Sequence, residues 1–406
     1  MEKFMASRRQ VMAAAVGVAV TASMATACSS KDGSSDELLV YSIASISGEA
    51  LAQPEFKGVA EAVVQKINDD DGGINGKKIK LVFCDTKLDP NIEANCVRQA
   101  IQAKADAMVG GLEAYPDTFK QLEAAEIPFI GNIGFTPGAY ESPISFPIGP
   151  GPMGIEATIA SMVKAGSKKI GILTLDAPGA LVGADLMDAA AKAAGVEVTN
   201  YVKFPPATTD FTSYYAKVLE NGTDGVALLT GANTLLVAPK ELRAQGYDGV
   251  ASTYDGNLVD TTPGGETLNQ IEGYYVSGIA PWPSQSGNPP ALQEAIDTIR
   301  KYSPGTAITQ TSIQQYAAFV LFANAMEDVE TIDAASVLDT FTNLSTPVET
   351  GLIGPYSVVG KQNRLFNESV YTGQVRNGEV VAEPAGPRPL SEILGEVGVS
   401  IQFPTG

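Results

Sequence analysis

The chain holds 46 Asp and Glu, 27 Lys and Arg and three Cys in 406 residues, and it has no His. The missing imidazole excludes Ser-His-Asp and Cys-His nucleophiles, imidazole acid–base steps and His-ligated zinc or haem. Ser161-Met162-Val163-Lys164 has the S-x-x-K spacing of penicillin-recognising enzymes, and Ser286-Gly287-Asn288 faintly echoes their second motif. No K-T-G follows, and Ser161 falls in the middle of an amphipathic helical pattern, so a chance match is the better reading. Gly149-Pro150-Gly151-Pro152-Met153-Gly154 has the spacing of a dinucleotide-binding turn, with Asp176 at the end of the next strand. That turn works by offering backbone N–H groups to a pyrophosphate, and Pro150 and Pro152 have none. An exported NAD(P)-binding oxidoreductase is therefore kept only as the alternative, and a stiff connection between two lobes is preferred. Asp69-Asp70-Asp71 lacks the ligand spacing of a calcium loop, and neither a G-x-S-x-G elbow nor a Walker loop occurs. No catalytic residue, metal or cofactor is expected.

The remaining reactive groups are thiols. Cys84 and Cys96 lie 12 positions apart; in an oxidising compartment a local disulfide is the leading reading, with two buried free thiols as its alternative. A metal pair is disfavoured, because neither has a second Cys or any His nearby. Cys28 ends Ala25-Thr26-Ala27-Cys28, which looks like a bacterial lipobox with Ala25 in place of the usual Leu. It follows Lys3, Arg8, Arg9 and an uncharged run over residues 11–27, and Ser7-Arg8-Arg9-Gln10-Val11-Met12 looks like a twin-arginine signal. Residues 1–27 are thus expected to be an export signal, Cys28 a lipidation site and residues 28–37 an anchor and tether; the rival is an ordinary cleaved signal with an incidental thiol. Two acyl chains on Cys28 would anchor the protein to the outer face of a bacterial cytoplasmic membrane, at about 0.8 kcal/mol per buried methylene. The formal charge of −19 argues against nucleic acid or an anionic membrane surface as partner, since both need clustered Lys and Arg.

These residues must be positioned by a folded chain. With 44% hydrophobic and 18% charged residues, it can build a substantial core, and its length suggests two domains. Hydrophobic periodicity predicts strands at 38–43, 78–83, 107–109 and 127–130, with helices at 55–68, 91–104 and 118–125 between them. After the Pro-rich stretch 142–152 the alternation restarts, with strands at 169–175, 196–204, 226–229 and 250–253 and helices at 155–164, 181–194, 211–220 and 234–245. Strand 274–279 follows, then helices at 292–302, 312–327 and 334–341 and strands at 370–376 and 379–381, turned by Asn377-Gly378. Repeated βα units imply α/β architecture: two doubly wound parallel-sheet lobes, with several crossings between them forming a multi-strand hinge. The expected N-terminal lobe is 38–149 plus 283–350, and the C-terminal lobe is 150–282 plus 351–406. In such folds ligands sit beyond the carboxyl ends of the strands. The loops there offer Ser47, Glu113, Tyr115, Phe135, Asn233 and Asp255, with Ser45, Asn132, Asp176 and Tyr254 beside them.

Ile67-Asn68 with Gly72-Gly73-Ile74-Asn75-Gly76, then Cys84-Asp85 and Asp89-Pro90, resembles the branched-chain amino-acid (leucine/isoleucine/valine) binding protein family. Ser47-Gly48, Ile127-Pro128, Lys168-Lys169-Ile170-Gly171-Ile172-Leu173 and Gly354-Pro355-Tyr356 are similar too, so the resemblance spans residues 38–382. It implies the type I periplasmic-binding-protein fold, a monomeric extracytoplasmic receptor without enzymatic activity, a small-molecule ligand and an ABC permease as partner, with a ligand-sensing surface receptor of the same fold as a second alternative beside the oxidoreductase. In family members that bind α-amino acids, first-lobe hydroxyls and amides hold the carboxylate, and an acidic residue after a second-lobe strand holds the ammonium. Asp255 falls where that acidic residue would be. Glu113-Ala114-Tyr115, Ile133-Gly134-Phe135, Ala177-Pro178-Gly179 and Ala232-Asn233 depart from the family pattern. A ligand carboxylate facing Glu113 would be repelled. An apolar, aromatic, amide-like or cationic ligand suits these loops at least as well as an aliphatic amino acid.

Overall fold

The computed structural model describes residues 37–48, 52–230, 237–254, 266–283, 285, 289–361, 363–382 and 386–403. The export signal with Cys28, and the candidates Asn233 and Asp255, lie outside the described residues. The first half runs β1 (Glu37–Ala44), α1 (Glu55–Asp69), β2 (Lys78–Asp85), α2 (Pro90–Gln102), β3 (Ala107–Gly111), α3 (Asp117–Ala124), β4 (Phe129–Ile130), α4 (Pro137–Glu141) and β5 (Ser145–Phe146). Its five strands form one parallel sheet in the order β2-β1-β3-β4-β5. Gly111, at φ +89°, closes the β1–β3 pair: a Cβ there would lie 2.1 Å from the Ile43 carbonyl oxygen, so only glycine lets the two backbones approach this closely.

The chain continues with α5 (Glu156–Lys164), β6 (Lys169–Leu175), α6 (Pro178–Ala193), β7 (Glu197–Phe204), α7 (Thr212–Val218), β8 (Gly225–Leu229), α8 (Val237–Ala244), β9 (Val250–Thr253), α9 (Glu266–Asn269) and β10 (Tyr275–Gly278). It then runs α10 (Pro290–Tyr302), α11 (Gln310–Ala325), α12 (Ala334–Thr342), β11 (Ser369–Arg376), β12 (Glu379–Ala382), β13 (Arg388–Pro389) and α13 (Leu390–Gly395). The second sheet has the order β12-β11-β10-β9-β8-β6-β7, parallel from β10 to β7, with β11 antiparallel to β10, β12 and β13.

After the second βα series the chain returns to the first sheet. Helix α10 packs on α1, and α11 packs on both α1 and β3. Helix α1 presents Phe56, Val59, Ala60, Val63 and Ile67 to this core. Helix α11 is buried nearly all round, which fits its place between a helix and a sheet. It starts at a capping box of Thr309 and Ser312. Its Gln315 accepts from the Gly111 N–H at 2.6 Å and donates to Ser42 Oγ at 3.3 Å, tying two strands of the first sheet to the returning helix.

The Pro-rich stretch is more than the connection the sequence suggests. It holds β5, because Phe146 packs against Phe341 and Phe366 with ring centroids 5.4 and 5.7 Å away; a strand of two residues is too short to show a period. Cys84 on β2 and Cys96 on α2 are joined by a disulfide with Cα atoms 5.8 Å apart. A loop of this size contributes about 3 kcal/mol in the chain-entropy account.

Candidate functional site

Beyond the carboxyl end of β1, the Ile46 and Lys87 amides each donate to Asp85 Oδ1 at 3.0 Å, and the Ser47 hydroxyl donates to Oδ2. Burial pushes the Asp85 carboxyl upward, but the bonds from Ser47, Ile46 and Lys87 outweigh it and hold the group below the usual carboxylate range. Ser47 itself is exposed.

Beyond β3, the loop is held by Glu93 of α2, which is fully buried. Its carboxyl accepts from the Ala114 and Tyr115 amides at 3.2 Å and from Thr118 Oγ1 at 2.6 Å. Burial dominates here and raises its pKa despite those bonds. The Tyr115 hydroxyl donates to the Leu88 carbonyl at 2.7 Å, so the ring bridges the loops after β2 and β3.

Beyond β4, Glu113 repeats the device. Its Oε1 accepts from the Phe135 amide at 2.8 Å, the Thr136 amide at 3.0 Å and Thr136 Oγ1 at 3.3 Å. Oε2 has no hydrogen-bond partner. Complete burial pushes the Glu113 carboxyl up to about 7 against the pull of the Thr136 and Phe135 amides. Phe135 is 37% exposed. Its ring faces the start of α6 from the second sheet, where a Cβ added to Gly179 would lie 3.4 Å from the ring. The strand-end loops of both sheets therefore meet at this point.

On the second side, Asp176 follows β6; its amide donates to the Phe204 carbonyl at 2.8 Å and its side chain is exposed. Half-buried Tyr254 follows β9 and donates to the Gly151 carbonyl at 3.2 Å. Gly151, at φ +52°, sits against the first side, where a Cβ would lie 2.5 Å from the Gly134 carbonyl oxygen. The whole Gly149–Gly154 segment is buried and includes a 3-10 turn, as suits a packed connection rather than a phosphate loop. Ser161 Oγ donates to the Ala157 carbonyl at 2.9 Å within its own helix. Among the described residues, no group of three or more His, Cys, Asp or Glu is placed to hold a metal ion. A concavity of about 660 Å³ between α1 and α10 is bordered by Lys66, Asp70, Glu294 and Lys301, which form ion pairs on the helical layer away from the strand ends.

Of the sequence candidates, Ser47, Tyr115, Phe135 and Glu113 are thus brought to adjoining loops, with Glu113 behind Phe135. Sequence reasoning passed over Asp85 and Glu93. Glu93 had a signal: with Cys96, Val97 and Ala100 it forms the buried stripe of α2, the i, i+3, i+4, i+7 spacing of a core face.

The sequence matches the model of the family described as periplasmic binding protein over residues 40–379. No curated protein matches it. Among solved structures, a fatty acid ABC transporter substrate-binding protein from Thermomonospora curvata is similar, with a TM-score of 0.73 and 15% identity over 91% of this chain and 96% of that one. A branched-chain amino acid ABC transporter protein from Thermus thermophilus with bound valine has a TM-score of 0.72 and 13% identity over 89% and 98% of the two chains. The Streptococcus pneumoniae LivJ substrate-binding protein in complex with isoleucine has a TM-score of 0.68 and 17% identity over 87% and 99%.

Proposed function

Since the chain belongs to the periplasmic binding protein family, we propose that it is the extracytoplasmic solute-binding component of an ABC importer. In this reading lipidated Cys28 anchors a monomer to the outer face of the cytoplasmic membrane, and the protein hands a small organic ligand to a permease. The N-terminal lobe is residues 38–149 and 283–350, and the C-terminal lobe is 150–282 and 351–406. ATP hydrolysis belongs to the permease complex. The observation that carries the reading is the meeting of strand-end loops from both sheets, with Phe135 of one facing Gly179 of the other. A ligand touching both sides favours the shut form by its differential affinity. Ser47, Tyr115 and Phe135 face it from the first side and Asn233 and Asp255 from the second, with Glu113 acting from behind Phe135.

The similar proteins include a fatty acid transporter's substrate-binding protein and two with valine or isoleucine bound. All three compounds have a substantial apolar part, which supports a ligand with an aliphatic or aromatic body, drawn from amino acids, amides or aromatic compounds. A thermal-shift screen of the purified chain over branched-chain amino acids, carboxamides, aromatic compounds and fatty acids tests this. One class is expected to raise the melting temperature in a concentration-dependent way. A flat response across all four classes would reject the receptor reading.

A further inference from the structure

Four neighbouring loops of the first sheet reach the strand ends, and six of their amides are taken by carboxyl groups of the same chain. Asp85 takes those of Ile46 and Lys87, Glu93 those of Ala114 and Tyr115, and Glu113 those of Phe135 and Thr136. Free backbone N–H groups beyond the carboxyl ends of parallel strands are what such folds use to hold an anionic part of a ligand. Here these six are already filled from within. An anionic group desolvated against this side would lack these donors, and buried anions without donors are strongly disfavoured. Of the loops after β1, β2, β3 and β4, only the one after the edge strand β2 carries a basic side chain, Lys87. What the first side offers instead is the exposed ring of Phe135.

We propose that the ligand presents no carboxylate to the first lobe and is a neutral, largely apolar molecule, with Glu113 setting this selectivity by filling the Phe135 and Thr136 amides directly behind the Phe135 ring. The proposal rests on the receptor reading above. It holds in either protonation state of Glu113, because Oε1 accepts both amides whether or not the unpartnered Oε2 carries a proton. Glu113 is a positioning residue: it acts through the loop that carries Phe135.

Two measurements test this. Calorimetric titration of the wild-type chain with matched pairs, phenylacetamide against phenylacetate and octanamide against octanoate, is expected to show the neutral member bound at least ten-fold more tightly. Equal or tighter binding of the carboxylate would overturn the proposal. In the second, Glu113→Ala opens a slot lined by the two amides, and sodium acetate at about 100 mM is expected to raise its melting temperature by several degrees over an equal concentration of chloride. The wild type and Glu113→Gln, which keeps an Oε1 acceptor in place, are expected not to respond. A Glu113→Ala protein indifferent to acetate would remove the filled-slot argument. If no member of either pair binds while a carboxylate-bearing compound responds in the thermal-shift screen, the proposal is overturned and the receptor reading stands; if nothing in that screen responds, the receptor reading fails, and the acetate response still decides the claim about Glu113. Should Glu113→Ala not fold, the wild-type pairs decide the proposal alone.

Discussion

The loops after β4 and β6, which meet where Phe135 faces Gly179, are built by different means. On the first side, three acidic side chains, two of them fully buried, collect amides from four neighbouring loops. On the second side, the loop after β6 is closed without a carboxylate, by backbone bonds from the Asp176 amide to Phe204 and from Leu181 to Ala177 and by the Thr174 hydroxyl on the Ala180 carbonyl, and its one acid, Asp176, faces solvent. The second sheet has a carboxylate brace of this kind after β7, where Glu241 of α8 accepts from the Phe211 amide at 3.0 Å and from Thr212 Oγ1 at 3.2 Å; others lie away from the strand ends, Asp224 holding the Lys168 and Lys169 amides at the start of β6 and Glu156 the Gln402 amide near the C-terminus. The lesson is that acidic residues at strand ends play two roles here. Braced inward, they fix a surface and remove its donors; turned outward, they leave the loop free to meet a ligand.

The largest break in this contrast is expected from Glu93. Glu93→Ala removes the acceptor of two amides and one hydroxyl in a fully buried place, leaving those donors unsatisfied. A loss of about 3–4 kcal/mol follows from the cost of orphaned buried partners. Asp176→Ala, on the other side, should stay within about 0.5 kcal/mol, as surface substitutions do. Urea unfolding midpoints at constant slope measure both. Equal losses in the two variants would erase the distinction between the sides.

How far this was legible in the sequence follows the same line. Long periodic segments such as β1, α1, β6 and α11 could be read because each presents several turns or pleats of pattern. The return of α10 and α11 to the first sheet could be inferred from chain order, since these helices follow a completed second βα series. The two-residue β5 and the five-residue α4 were illegible, being fixed by the rings of Phe146, Phe341 and Phe366 and by the Glu113 brace. In the site, sequence position assigned Ser47, Glu113, Tyr115 and Phe135 to the strand ends, where the structure has them in adjoining loops. It could not tell that Glu113 turns inward, because the direction of an acidic side chain depends on which loop amides lie within its reach.

A second test uses the opposite titration behaviour of the braces. Glu113 is raised from its ordinary 4.5 to about 7, and Glu156 to about 8, chiefly by burial. For such groups the native state favours the protonated form. Their stabilisation is fully present below the unfolded pKa and is lost as pH rises through the folded value. Stability should therefore fall between about pH 5 and 8, by about 2 kcal/mol for the Glu113 share. Glu113→Gln, which does not titrate, should flatten that part of the profile. A wild-type melting temperature unchanged or rising from pH 5 to 8 would show that the first-side braces are ionised throughout.

The smallest expected effect sharpens the comparison within the first side itself. Asp85 is only half-buried and its carboxyl is held below the usual range, because the Ser47 hydroxyl and the Ile46 and Lys87 amides outweigh its burial. Asp85→Asn keeps one oxygen to accept the two amides and gains a donor that can serve Ser47. It should cost only about 1 kcal/mol, the difference between charged and neutral hydrogen bonds. The sign of its pH dependence is the reverse of that at Glu113. Stability from Asp85 is present above the unfolded pKa and lost as pH falls through the lowered folded value, so the gap between wild type and Asp85→Asn should be open at pH 7 and close toward pH 3. Melting temperatures of the two proteins across that range measure it. A gap that widened with acid would mean that Asp85 is protonated like its buried neighbours, and that the charge on the first side does not reach its rim.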